Sequence, residues 1–382
     1  MSWPKAPFIE VCNIQGGTQP PKSTFVDSER DGYIRLLQIQ DFKRSDKAVY
    51  VPDKKSLKKC KANDILIGRY GASVGKVLTG LSGAYNVALV KTLPDLERLD
   101  RAYLYHFLCS PVFQNYILNV GSRAAQAGFN KDDLAGLSIP LPPLKEQQRI
   151  AAILDKADAI RRKRQQAIAL ADEFLRAVFL DMFGDPVTNP KGVKLVTLGE
   201  LCDVATGATP SREKEEYYGG SIPWVKTAEV DGYVIKSTEE TITKEGLKNS
   251  NCKLNPIGSI VLAMYGQGKT RGKVGILGVE AATNQACAVI KPSPRVIMEY
   301  LYMYLRLSYD SLRALGQGAG QPNLNLSIVK GYPVPVPREK EQRNFVDILQ
   351  KVEKMISRSG HGADEVDVFF NSLSQKAFNG EL

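Results

Sequence analysis

The stretch "MYGQGKTRGKVG", Met264 to Gly275, carries Gly268-Lys269-Thr270, the residue types with which a glycine-rich loop cradles phosphate. Such a loop needs a second glycine upstream, here at position 263, so that consecutive backbone N–H groups close around phosphate oxygens, and it must open a helix. Position 263 is Ala. The preceding run "SIVLAMY" reads as a strand, and the following "GKVGILGVEAATNQACAVI" is β-branched and glycine-punctuated, which predicts another strand and no helix. Nucleotide binding is therefore not expected. The segment reads as a hairpin tip with basic side chains at Lys269, Arg271 and Lys273.

Other routes to catalysis are also missing. His106 and His361 are the only histidines, and the cysteines Cys12, Cys60, Cys109, Cys202, Cys252 and Cys287 contain no CxxC pair. This argues for a reducing compartment and against a metal site. An Asn/Asp-Pro-Pro-aromatic tetrad, which would stack on a flipped adenine, is absent: "NPKG" and "NPIG" lack the second proline and the aromatic. "GQGAG" has no strand and helix around it, and "PDKK" and "PDLE" lack a following Glu-x-Lys. No active site is expected.

A chain of 382 residues with 43% hydrophobic content can bury more than one core. The formal charge of +10 and pI near 9.1 favour a polyanionic partner. The start "MSWPKAPFIEV" lacks a basic-then-apolar leader, and no apolar run reaches the roughly 18 residues of a spanning helix, so no membrane and a cytoplasmic location are expected.

The elements that would position these residues are written twice. "IPLPPLKEQQRIAAILDKAD" (139–158) aligns without a gap on "VPVPREKEQRNFVDILQKVE" (334–353), and the 195-residue offset carries Tyr70-Gly71 onto Tyr265-Gly266, Asn130 onto Asn325, Gly136 onto Gly331, Phe174 onto Phe369 and Phe183 onto Phe378. "VCNIQGGTQP" (11–20) matches "LCDVATGATP" (201–210) with a slightly different shift. The organisation read from this is a domain over 1–140, a helix over 141–185, a second domain over 186–337 and a second helix over 338–382.

Prolines at 140, 142, 143, 335 and 337 hold the chain extended before each helix. Ile150, Leu154, Ala157, Arg161, Arg164, Ile168, Ala171, Leu175, Val178 and Met182 follow alternating steps of four and three. Phe345, Leu349, Val352, Ile356, Ser359, Ala363, Val366, Phe370, Leu373 and Ala377 repeat the series. Such spacing marks a coiled-coil seam, and each stripe needs a partner, so the helices should pack on each other. At about 1.5 Å per residue the first, roughly 144–182, would run near 58 Å. Gly360 and Gly362 predict a kink or break in the second. The cluster Arg161 to Arg164 reads first as a solvated face.

Each globular half contains short β-like runs ("IRLLQIQDF", "DILIGRYG", "IPWVKTAEV", "GSIVLAMYG") and one helical patch ("DRAYLYHFLCSPVFQNYIL", "MEYLYMYLRLSYDSLRAL") whose tyrosines, with His106, read as core. The fold class expected is α+β.

With this repeat and the "LPPLKEQQRIAAILDKAD" junction, the chain resembles, over its whole length, the DNA-specificity subunit of type I restriction-modification enzymes. The weaker second hinge "VPVPREKEQ" and the glycine-broken second helix depart from that pattern. The resemblance implies two target-recognition domains alternating with two antiparallel spacer helices, and a subunit that reads a bipartite asymmetric target in double-stranded DNA. It implies two modification subunits that methylate adenine and restriction subunits that translocate and cleave. It also implies that S-adenosylmethionine, ATP and Mg belong to those partners, with no cofactor on this chain. A DNA turn is about 34 Å, so helices of this length can set two readers on successive grooves.

Arg, Lys, Gln and Asn reach phosphates and base edges, and four glycine-rich loops at matching places carry them. The candidates are Arg69, Tyr70 and Lys76; Arg123, Gln126, Asn130 and Lys131; Tyr265, Gln267, Lys269, Arg271 and Lys273; and Gln317, Gln321, Asn323 and Asn325, with Trp224 and Lys226 as lesser ones. Two rival classes are a pure scaffold, which would lack salt-dependent DNA affinity, and an enzyme fused to its own specificity, which would methylate DNA alone.

Overall fold

The computed structural model describes residues 3–43, 47–121, 128–231, 234–266, 268–316, 323–358 and 363–382. The chain forms two compact units, one of residues 1–166 with 361–382 and one of residues 167–360. Each unit therefore takes one globular half, half of the long helix and one of the two later helices.

In the first unit an antiparallel sheet runs in the order Cys12–Gly16, Leu89–Pro94, Leu66–Gly68, Val77–Leu78. A second four-stranded sheet has the order Tyr50–Pro52, Tyr33–Leu37, Gly83–Tyr85, Lys59–Cys60. "IRLLQIQDF" is thus only half a strand: after Leu37 the chain turns into the 3-10 segment Ile39–Phe42. The Tyr-rich patch splits at Ser110-Pro111 into helices Arg101–Cys109 and Pro111–Gly121, because proline disfavours helical geometry in the residue before it. His106 and Tyr103 are buried.

The second unit repeats the plan. Its five-stranded sheet runs Val204–Thr206, Cys287–Ile290, Ile260–Ala263, Val274–Leu277, Val234–Ile235, so the first four positions match the sheet of the first unit. A three-stranded sheet adds Thr241–Ile242, Tyr218–Val225 and Ala282–Thr283. Helices Met298–Leu307 and Tyr309–Ala314 stand where the first unit has its own pair. The segment after "MYGQGKTRGK" is the strand Val274–Leu277, as its β-branched composition predicts, so the Gly-Lys-Thr loop opens no helix.

Each hinge is a short strand. Ser138–Pro140 pairs with Lys5–Pro7, and Pro333–Pro335 pairs with Leu195–Thr197. The long helix then spans Leu144–Phe183, 40 residues or about 60 Å. The second helical region comprises Glu339–Arg358 and Ala363–Asn379, with Gly360 and Gly362 between them and outside the described residues.

In the first unit Ile150, Ala151 and Leu154 share a core with Phe370, Leu373, Ala377 and Phe378. Arg149 Nη2 donates to the Leu382 carbonyl at 3.0 Å and Arg161 Nη1 to Asp367 at 3.2 Å, so these helices run antiparallel. In the second unit Leu175, Val178, Phe179, Met182 and Phe183 pack with Phe345, Leu349 and Val352. Ile168 and Ile356 are half-buried and sit outside both cores. Arg161 is no solvated seam residue: it pairs with Asp158 at 2.7 Å and Asp367 and lies over the Phe370 ring at 5.3 Å.

Candidate nucleic-acid interface

The tip of the first unit follows strand Leu66–Gly68. Gly68 N–H donates to Lys76 O (2.8 Å) and Gly75 N–H to Gly68 O (3.0 Å), closing the turn. Gly68 must lack a Cβ, because one would lie 2.1 Å from Ser73 O. The second tip makes the same pair of bonds, Ala263 N–H to Lys273 O and Gly272 N–H to Ala263 O, both 2.9 Å. Gly75 and Gly272 take the same left-handed conformation, with φ of 80° and 87°. Lys273 is therefore the counterpart of Lys76 and Arg271 that of Val74, and the second tip is longer than the constant sequence offset implies.

That match explains the placement of Arg271. Val74 packs on the core of its unit, so this turn position points inward. Arg271 is only 7% exposed and, among the described residues, its Nε has no hydrogen-bond partner, which corrects its reading as a basic side chain presented at the tip. Lys269 is exposed, with its carbonyl accepting from Tyr309 Oη at 2.9 Å, and Lys273 is half-buried.

The structure brings the paired loops of each unit together. Tyr70 bridges to Gly128, and Arg69 Nε donates to Phe129 O at 2.9 Å while its guanidinium lies 5.0 Å over the Tyr70 ring. Arg69 is thus a half-buried brace between loops, with Tyr70, Lys76 and Lys131 exposed beside it. In the second unit Leu324 N–H donates to Met264 O (3.0 Å), which sets half-buried Asn323 near exposed Tyr265. Arg123, Gln126, Gln267, Gln317 and Gln321 lie outside the described residues.

Four candidates have other work. Asn130 Oδ1 accepts from Asp132 N–H (2.7 Å) and Asp133 N–H, capping a 3-10 turn, and Asn325 Oδ1 accepts from Ile328 N–H (2.9 Å), capping Leu326–Lys330. An amide that satisfies orphan helix donors is committed to the fold. Trp224 is 2% exposed and its Nε1 donates to Ala208 O at 3.0 Å, so it is a core residue and no stacking platform. Lys226 Nζ is held between Glu239 and Glu240, each at 3.0 Å, so its charge is compensated locally.

Residue-type reasoning overlooked two buried amides at the hinges. Gln147 Oε1 accepts from Asp100 N–H (2.8 Å), and its Nε2 donates to Arg98 O and Pro142 O (both 2.8 Å). Gln342 repeats this with Ile297 N–H (2.9 Å) and Pro337 O (2.8 Å). Their signal was the Glu-Gln dipeptide shared by both junctions.

Among the described residues no group of three or more His, Cys, Asp and Glu could hold a metal ion. Burial pushes the thiols of Cys12 up to about 12 and of Cys60 and Cys202 up to about 11, away from reactive thiolate.

The model of the type I restriction modification DNA specificity domain matches residues 3–170 and again 190–361. The chain is 28% identical over 239 residues to the EcoR124I/EcoR124II specificity subunit of Escherichia coli, covering 59% of this chain and 57% of that protein. It is 23% identical over 384 residues to the MjaVIII specificity subunit of Methanocaldococcus jannaschii, covering 94% of this chain and 88% of that one. The crystal structure of the type I restriction-modification S subunit from M. genitalium shares the fold, with a TM-score of 0.62 at 16% identity over 99% of this chain and 96% of that one. Two matches to one domain model, one in each globular half and together most of the sequence, make this chain a member of the type I restriction-modification DNA-specificity family.

Proposed function

We propose that this chain selects DNA for a type I restriction-modification complex, each unit reading one half of a bipartite, asymmetric double-stranded target. The observation that carries this reading is one scaffold built twice, each copy ending in a tip with lysines beside an exposed tyrosine, Lys76 and Lys131 beside Tyr70 in one unit and Lys269 and Lys273 beside Tyr265 in the other, with the second tip the longer. A net charge of +10 suits the polyanionic partner.

On this reading adenine methylation falls to two modification subunits, and translocation and cleavage to restriction subunits. S-adenosylmethionine, ATP and Mg are bound by those partners. The repeat supports one modification subunit per half, since exposed apolar side chains recur at matched positions: Ile160 with Met355, and Phe174 with Phe369. Among the described residues no helix is long and apolar enough to cross a membrane.

Exchanging residues 1–140 for the matching domain of a relative should change one half of the methylated motif and leave the other half intact. The check is a genome-wide map of methylated adenines in cells carrying the chain with its modification partner, and a change in both halves would defeat the two-reader arrangement. A pure scaffold would give no salt-dependent DNA affinity. Lys269→Ala should lower the slope of log affinity against log salt by about 0.9 for one lost phosphate contact. Arg271→Val, which copies the inward Val74, should leave the slope unchanged. An unaltered slope for Lys269→Ala removes that lysine from the interface.

A further inference from the structure

We propose that Gln285, oriented by Thr209, reads a base pair of the half-site taken by the second unit, and that Val87 holds the corresponding reading position in the first. This rests on the DNA-selecting function proposed above. Both residues sit at the apex of a turn that the units build identically. Asn86 N–H donates to Leu37 O (3.1 Å) and Asn284 N–H to Val225 O (2.9 Å). The Asn86 side chain accepts from Ala88 N–H (3.1 Å), and that of Asn284 from Ala286 N–H (3.2 Å).

A glycine segment crosses each turn. Thr18 N–H donates to Tyr85 O (3.0 Å) and Ala208 N–H to Thr283 O (2.9 Å). A Cβ on Gly17 would lie 2.0 Å from Asn86 O, and one on Gly207 2.1 Å from Thr283 O, so the crossing admits only glycine. Gly17, Asn86 and Ala88 of the first crossing recur as Gly207, Asn284 and Ala286 in the second. The positions at the outer edge differ: exposed Gln19 and Val87 in the first, half-buried Thr209 and exposed Gln285 in the second. A constant frame with differing outward residues is what two readers of unequal half-sites require.

The turn is joined to the candidate tip in each unit, by Arg69 N–H to Ala88 O and Met264 N–H to Ala286 O, both 2.8 Å. The reading position therefore stands beside Tyr70 or Tyr265. In the second unit Thr209 Oγ1 donates to Gln285 Oε1, which fixes the amide. Nε2 of exposed Gln285 keeps its protons for an acceptor, and Oε1 keeps a second lone pair. Purine N7, guanine O6 and thymine O4 are such acceptors in the major groove, and adenine can take the amide bidentately. An open groove of about 890 Å³ adjoins the pair, with Lys253, Lys330 and Asn251 on its walls, suited to the flanking phosphates. Val87, 39% exposed, offers the apolar contact that a thymine methyl accepts.

The test uses the full chain in its complex with modification subunits and maps methylated adenines for Gln285→Val, Val87→Gln and Thr209→Val. Gln285→Val should relax or switch one position of one half-site, with discrimination there falling about tenfold, while the other half-site and the spacing stay fixed. Val87→Gln should alter one position of the opposite half, and Thr209→Val should weaken the position read by Gln285. Unchanged motifs for both Gln285→Val and Val87→Gln overturn the proposal, as does degradation spread over both halves. A wild-type complex with no bipartite motif would instead sink the DNA-selecting function itself.

Discussion

A fragment ending near Val187 is expected to dimerise and, with modification subunits, to direct methylation of a palindromic, interrupted sequence made of the first half-site twice. The cut strips two faces of the long helix. Ile150 and Leu154 lose Phe370, Leu373 and Phe378, while Leu175, Val178, Phe179 and Phe183 lose Phe345 and Leu349. Each large apolar side chain is worth about 1.5 to 3 kcal/mol when buried, so both faces seek cover. The repeat says what covers them. Phe378 packs edge-on against Tyr103 at 5.2 Å, and its counterpart Phe183 packs edge-on against Tyr300 at 4.9 Å. Tyr103 and Tyr300 are themselves equivalent, each Oη donating at 2.9 Å to a hinge carbonyl, Pro140 or Pro335. Phe183 of a second copy can therefore take the place of Phe378.

The charges agree. Arg161 needs the partner that Asp367 supplies, and the residue matching Asp367 in the first repeat is Asp172, which the second copy would bring to the same place. Sedimentation should show a dimer weakened by Asp172→Lys. A monomer, or a motif that stays asymmetric, would refute the exchange of helices.

What was legible in the sequence was periodicity. The long helix ends within a residue of its expected bound, the two hinge strands lie where the offset places them, and Ile150, Leu154, Leu175, Phe345 and Leu349 are buried. The seam series missed Ala151, Phe179, Phe183 and Phe378 because each helix half buries a face against its domain as well as its partner, and a core-facing helix has a wider apolar stripe than a two-stranded seam. The candidate site was less legible. A fixed offset hid the extra length of the second tip, so nothing in the sequence aligned Arg271 with the inward Val74. Asn130 and Asn325 look alike as caps and as base readers, since one amide serves both. Trp224 depends on strand Tyr218–Val225 facing the core, a tertiary fact.

Gln147→Ala should be the most destabilising single change at either hinge. Its side chain is fully buried and serves three backbone groups, Asp100 N–H, Arg98 O and Pro142 O, the last through a buried hydrogen bond. A buried donor or acceptor left unpaired costs about 1 to 3 kcal/mol, so a loss of about 3 kcal/mol or more is expected. Gln342→Ala, with two backbone partners among the described residues of the second hinge, should cost less, about 2 kcal/mol. Glutamate is no rescue at either place, because it keeps the acceptor but loses the donor and buries a charge. The chain has two tryptophans, Trp3 in the first unit and Trp224 in the second, so single-tryptophan variants report the units separately. In urea, Gln147→Ala should lower the midpoint followed by Trp3 more than that followed by Trp224, and Gln342→Ala should do the reverse. Equal small shifts at both probes would mean that the hinge amides do not hold the domains to their helices.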